Sequence, residues 1–209
     1  MSRVRVKICG IKDREAAFAA VEAGADALGF VFAPSSRQVT PSLAREVLAS
    51  LPPFVAAVGV FVDAPLEIVR ELAEELRLSA VQLHGWETPE YLQKLKALTR
   101  VAVIKAFRVA TPDDLLGVEE YPADAYLFDT RVEGQMGGTG KSFDWEMLRG
   151  RSFRAPVILA GGLSPENVEL AIRTVRPYAV DVSSGVETEG RKDPAKIRAF
   201  IARVKEACL

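Results

Sequence analysis

Eight times along the chain, a short run of β-branched or aromatic residues is followed by an amphipathic stretch. This alternation leaves few folds open. The strand-like runs cover 4–9, 27–32, 56–62, 80–84, 102–109, 125–130, 157–160 and 179–183. The helix-like stretches cover 13–23, 42–51, 65–76, 88–98, 112–119, 144–148, 165–175 and 193–207. Asp13 reads as an N-cap and Gly24 as a stop, and Pro65, Pro112, Pro165 and Pro194 sit near first helical positions. Strict strand–helix alternation implies parallel strands joined by right-handed crossovers. Eight units in 209 residues predict a single α/β domain over 1–209, a (β/α)8 TIM barrel of eight parallel strands. A doubly wound open sheet would have to demote two runs, and none is weak.

Side-chain parity sharpens this expectation, because successive strand residues face opposite ways. Val4, Val6 and Ile8 share one face of the first run, and Lys7 and Cys9 share the other. Val81 and Leu83 oppose Gln82 and His84, and Val180 and Val182 oppose Asp181 and Ser183. The apolar face suits a layer of helices. The other face is expected to gather Lys7, Cys9, His84, Lys105 and Asp181 inside the barrel, with Asp129 ending the sixth strand. Buried charge is costly unless paired, so this gathering points to a polar ligand at the C-terminal end of the strands.

Composition removes several functions. With 27 basic and 28 acidic residues in no block of like charge, nucleic acid and anionic membrane surfaces are not expected partners. The longest apolar runs are too short for a transmembrane helix, and the first ten residues lack the apolar segment of a signal peptide. Two cysteines, Cys9 and Cys208, and one histidine argue against a disulfide framework or a zinc site and for a reducing cytoplasm. No metal and no cofactor is expected. One Asn, four Gln, three Met and 18 Arg against nine Lys lean towards a heat-stable protein. Monomer and homodimer both remain open.

Several residues could carry chemistry. Cys9 reads either as a small buried hydrophobe or, beside cations at a strand end, as a base. Asp129 is either a turn residue or a carboxyl that a partly dry pocket keeps able to donate a proton. Arg37, in the loop after the second strand, is a solvated arginine or a bidentate carboxylate clamp. His84 is structural or lines the pocket. Two glycine-containing loops, Ala160-Gly161-Gly162-Leu163 and Ser183-Ser184-Gly185-Val186, follow the last two strands, where such barrels commonly bind phosphate. The segment 134–142 resembles a P-loop but fails on spacing, since position 135 is Gln where the pattern needs Gly. It reads instead as a loop able to close over a substrate.

Together, Lys7-Ile8-Cys9-Gly10-Ile11, Gly29-Phe30-Val31-Phe32, Ser36-Arg37, Val81-Gln82-Leu83-His84-Gly85, Phe128-Asp129, Gly138-Thr139-Gly140, Leu159-Ala160-Gly161-Gly162-Leu163 and Asp181-Val182-Ser183-Ser184-Gly185-Val186-Glu187 resemble the phosphoribosylanthranilate isomerase family. The resemblance runs from residue 4 to about residue 200. It implies a cofactor-free barrel of tryptophan biosynthesis acting on a small phosphosugar–anthranilate substrate by an Amadori rearrangement. It makes Asp129 the general acid and Cys9 the general base. It gives Arg37 the anthranilate carboxylate and Gly162, Ser184 and Gly185 the phosphate, with Gly161 and Ser183 also binding substrate and His84 and Asp181 lining the pocket. Three rival enzymes fit less well. Indole-glycerol-phosphate synthase uses Lys and Glu at strand ends, a pentose-phosphate epimerase wants metal-binding histidines, and a bifunctional sugar isomerase wants two carboxylates. A silent phosphate-binding barrel would need neither Cys9 nor Asp129.

Overall fold

The computed structural model of the chain describes residues 3–130 and 145–208. Eight parallel strands close into a barrel in sequence order: β1 (Arg5–Cys9), β2 (Ala27–Val31), β3 (Ala56–Phe61), β4 (Ala80–Leu83), β5 (Ala102–Val109), β6 (Ala125–Thr130), β7 (Val157–Leu159) and β8 (Ala179–Val182). Helices α1 (Arg14–Ala23), α2 (Pro41–Ala49), α3 (Leu66–Glu75), α4 (Pro89–Leu98), α5 (Val168–Val175) and α6 (Pro194–Ala207) cover the outside. Closure is made by β1, which pairs with β2 at Cys9↔Gly29 and with β8 at Lys7↔Asp181. A short hairpin, β9 (Glu187–Thr188) and β10 (Arg191–Lys192), sits between β8 and α6.

The caps follow the local sequence. The Asp13 carboxylate accepts from the Ala16 N–H at 2.8 Å, and Gly24 ends α1 in left-handed backbone (φ 105°). Thr88 opens α4 and Asp193 opens α6 in the same way. On the strands, Val6, Ile8, Val81, Leu83 and Val180 pack outward into the main core under the helices. Val58, Ile104, Leu127, Ile158 and several alanines fill the barrel interior as a separate cluster.

Four expectations are corrected. A helix over 112–119 is replaced by two short 3-10 turns, Pro112–Leu115 and Val118–Glu120. Asp114 draws the chain into a turn by accepting from the N–H groups of Ala110 and Thr111, and Gly117 is left-handed (φ 73°). The region expected as a helix over 144–148 holds a 3-10 turn at Trp145–Leu148, with residue 144 outside the described residues. On this flank Phe107, Tyr121, Tyr126, Phe128 and Phe153 cover the barrel with rings 5.0–6.3 Å apart. Aromatic rings bury large areas each, which compensates for the thinner layer. The helix expected from 165 starts at Val168, because Asn167 first holds a turn through the Ser164 N–H. Lys105 points outward, not into the barrel. Ile104 and Ala106 occupy the interior, so Lys105 between them faces the helices and pairs with Glu87 at 2.8 Å. A one-residue error in parity moves a side chain to the opposite face. Among the described residues no helix is long and apolar enough to cross a membrane.

Candidate active site

At the C-terminal end of the barrel lies a cleft of about 920 Å³, its open mouth included. Cys9, Arg37, His84, Asp129, Gly161, Gly162, Asp181, Ser183 and Ser184 all line it. Gly185 does not. A Cβ there would collide with the Leu163 carbonyl, so Gly185 lets the two glycine loops press together.

One wall is built by β8 and β1. The Lys7 ammonium bonds Asp181 Oδ2 at 2.8 Å, and both groups are buried. Asp181 Oδ1 has no hydrogen-bond partner among the described residues. Gly29 on β2 makes room: a Cβ at that position would lie 2.8 Å from Cys9 Sγ and 3.0 Å from Lys7 Nζ. The Cys9 thiol therefore sits beside an ammonium. Burial nevertheless pushes its pKa up, and the pull of Lys7 and, more weakly, of Lys192 in the other direction is smaller. The nearby cations thus only partly offset the effect of burial on this thiol. Burial draws Lys7 down, yet Asp181 and Cys9 outweigh it and leave the ammonium above its ordinary value.

The opposite wall is built by β4, β5 and β6. His84 Nε2 lies 3.3 Å from Asp129 Oδ2, and Gln82 Nε2 lies 3.1 Å from His84 Nδ1. His84 is thus held between the Gln82 amide and the Asp129 carboxyl. Arg108 also lines the cleft and donates to the His84 carbonyl at 2.8 Å. Sequence reasoning missed Arg108, because both faces of β5 carry apolar residues and one cation.

Arg37 lines the cleft with one edge of its guanidinium engaged. Nε and Nη2 donate to the two Glu187 oxygens at 2.8 and 2.7 Å. The full fork expected from sequence is thus reduced to the Nη1/Nη2 edge. Across the cleft, Gly161 and Gly162 adopt left-handed backbone (φ 80° and 65°), and their N–H groups have no acceptor among the described residues. Asn167 fixes this loop by donating to the Gly162 carbonyl at 2.8 Å. Such a turn of consecutive amides is a natural anion cradle. Among the described residues no three His, Cys, Asp or Glu gather as metal ligands. The loop expected to close over the site lies outside the described residues. Cys208, at the end of α6, takes the Val4 N–H at 3.4 Å, on the far side of the chain's chemistry.

Comparisons with known proteins place the chain in a family. The family model for N-(5'-phosphoribosyl)anthranilate (PRA) isomerase matches residues 6–203. A relative from Desulforudis audaxviator, named N-(5'-phosphoribosyl)anthranilate isomerase, is 54% identical over 204 residues, which are 97% of this chain and 98% of the relative. The crystal structure of the phosphoribosyl anthranilate isomerase from Thermotoga maritima superposes with a TM-score of 0.87 at 47% identity, covering 97% of this chain and 99% of that one. A phosphoribosyl anthranilate isomerase crystallised with reduced 1-(o-carboxyphenylamino)-1-deoxyribulose 5-phosphate gives a TM-score of 0.84 at 45% identity, with the same coverage. The chain belongs to the N-(5'-phosphoribosyl)anthranilate isomerase family.

Proposed function

We propose that the chain rearranges N-(5'-phosphoribosyl)anthranilate to 1-(2-carboxyphenylamino)-1-deoxyribulose 5-phosphate, as the names of its relatives indicate for them. The observation that carries the chemistry is one cleft holding a thiol on one wall, a carboxyl on the other and a glycine cradle between. Asp129 protonates the ribose ring oxygen, the C1–O bond breaks, and the aniline nitrogen pair forms an iminium. Cys9 as thiolate then removes the C2 proton. The C–H pair becomes the C1=C2 bond, and the iminium is neutralised to an enolamine. Loss of the 2-hydroxyl proton and protonation at C1 give the ketone. Two protons are gained and two are lost, so no outside oxidant or reductant is needed. The free edge of Arg37 takes the anthranilate carboxylate. The amides of Gly161 and Gly162, with Ser184, take the phosphate, and Asp181 and His84 face the sugar. Each proton transfer by a placed group is worth about 10²- to 10⁴-fold. A burial-raised thiol is scarcer as thiolate at neutral pH but is the stronger base once formed. The free thiols fit a reducing cytoplasmic setting. Loss of the substrate's anthranilate fluorescence, followed with purified protein, tests the reading. Loss no faster than spontaneous hydrolysis overturns it.

A further inference from the structure

The chain between β8 and α6 is more than a connection. Glu189 and Gly190 both have positive φ (49° and 74°), the pattern of a type I′ turn, which folds β10 back on β9 and sets Lys192 opposite Glu187. The Lys192 ammonium is buried and donates to Glu187 Oε1 at 2.7 Å, to the Ser183 carbonyl at 2.9 Å and to Ser183 Oγ at 3.3 Å. Ser183 Oγ in turn donates to the Cys9 carbonyl at 3.0 Å. Glu187 holds Arg37 side-on, and the Arg37 stem lies across Gly10, where a Cβ would come 2.6 Å from its Cδ. Two cations thus share one carboxylate, and the cluster keeps one net positive charge. Arg37 and Glu187 alone would be neutral and would attract an anion weakly.

We propose that Glu187 and Lys192 are positioning residues for Arg37. Glu187 aims the guanidinium so that its Nη1/Nη2 edge meets the substrate carboxylate, and Lys192 restores the positive charge that Glu187 removes. This rests on the proposed assignment of Arg37 to that carboxylate. The specificity of the site for an acidic aromatic amine is then set in part by a hairpin that does not touch the substrate.

The test uses two inhibitors of the intact enzyme: the reduced carboxyphenylamino product and its counterpart without the ring carboxylate. In the unaltered protein the first binds more tightly. In Lys192→Met its Ki rises about tenfold, a change of about 1.4 kcal/mol, while the Ki of the second stays within twofold. Lys192→Arg keeps the charge and restores the preference. Inhibition by inorganic phosphate is measured in each variant and stays constant, which shows an intact cleft. Equal weakening of both inhibitors by Lys192→Met, or no weakening of either, overturns the positioning role. If Arg37→Met leaves the preference for the carboxylate intact, the assignment of Arg37 itself falls. If Arg37→Met abolishes the preference but Lys192→Met does not, only the hairpin's role falls.

Discussion

The two walls of the cleft are built by different physics. On the β8–β1 side, Lys7 pairs with Asp181, and Glu187 pairs with both Arg37 and Lys192, by charge-assisted bonds of 2.7–2.8 Å. On the β4–β6 side, Asp129 is reached by His84, which is held by the Gln82 amide and by Arg108 bonding its carbonyl. The contrast matches the two jobs proposed. A thiol must lose its proton in a dry place, and only nearby cations make the resulting anion tolerable. A carboxyl that donates a proton is better oriented by polar neighbours, and His84 is one of them. The first wall should therefore be energetically brittle and the second forgiving.

The largest effect expected removes the reacting groups themselves. Cys9→Ala and Asp129→Asn should each lower kcat by about 10²- to 10⁴-fold, with little change in Tm. Near-normal turnover in either variant would take that residue out of its role. The pH dependence should separate the walls further. Burial raises the Cys9 thiol, and the active form is deprotonated. So the alkylation rate of Cys9 by iodoacetamide, read from its own peptide, should still be climbing above pH 8.5, the usual thiol value. A plateau reached near neutrality would contradict this.

Next in size is a stability contrast. Lys7→Met leaves Asp181 buried without its cation, a loss of about 3–5 kcal/mol by analogy with broken buried pairs. His84→Asn, on the other wall, removes two modest contacts and should cost about 1–2 kcal/mol. Denaturant titration of both variants decides it. Similar losses would erase the distinction between the walls.

Smaller again is the loss from Arg37→Ala. A hydrogen bond to a charged group is worth about 1.5–3 kcal/mol, so KM should rise about 10- to 100-fold while kcat falls less. Unchanged KM would remove Arg37 from substrate binding, and with it the reason for Glu187 to hold the guanidinium side-on.

Most of the barrel was readable from period alone, because a parity of two and the alternation with amphipathic stretches are local properties. Cys9, Asp129 and Asp181 were legible for the same reason: each ends or nearly ends a run whose other face is apolar. Lys105 was misplaced because Val103, Lys105, Phe107 and Val109 alternate with Ile104, Ala106 and Arg108, so both faces carry apolar residues and one cation. Nothing within that run says which cation points in. The helix expected over 112–119 failed because Asp114 and Gly117 favour a turn, while five aromatic rings from distant positions cover the flank. The Arg37–Glu187 pair was hidden by separation: the partners stand 150 positions apart and meet only once β1 and β8 close the barrel. The hairpin that adds Lys192 is marked in the sequence only by Gly190, because Glu189 is not a residue type that favours the positive φ it adopts.

The smallest effect expected is an acid-stability difference on the brittle wall. Burial alone would raise the Glu187 carboxyl, but Arg37 and Lys192 overcome it and hold its pKa down at about 2. A carboxyl depressed on folding stabilises the protein above its unfolded pKa, near 4.3, and loses that contribution as pH falls towards the folded value. The stabilisation should thus be complete above about pH 5 and vanish between there and about pH 2. The full linkage would be near 3 kcal/mol, but Arg37 is 21% exposed and solvent screens its share, so about 1–2 kcal/mol is expected. Glu187→Gln removes the titrating group and keeps the shape. The fall in Tm between pH 6 and pH 3 should accordingly be smaller in Glu187→Gln than in the unaltered protein. An equal fall in both would mean that the two cations stabilise the hairpin without drawing on the charge of Glu187.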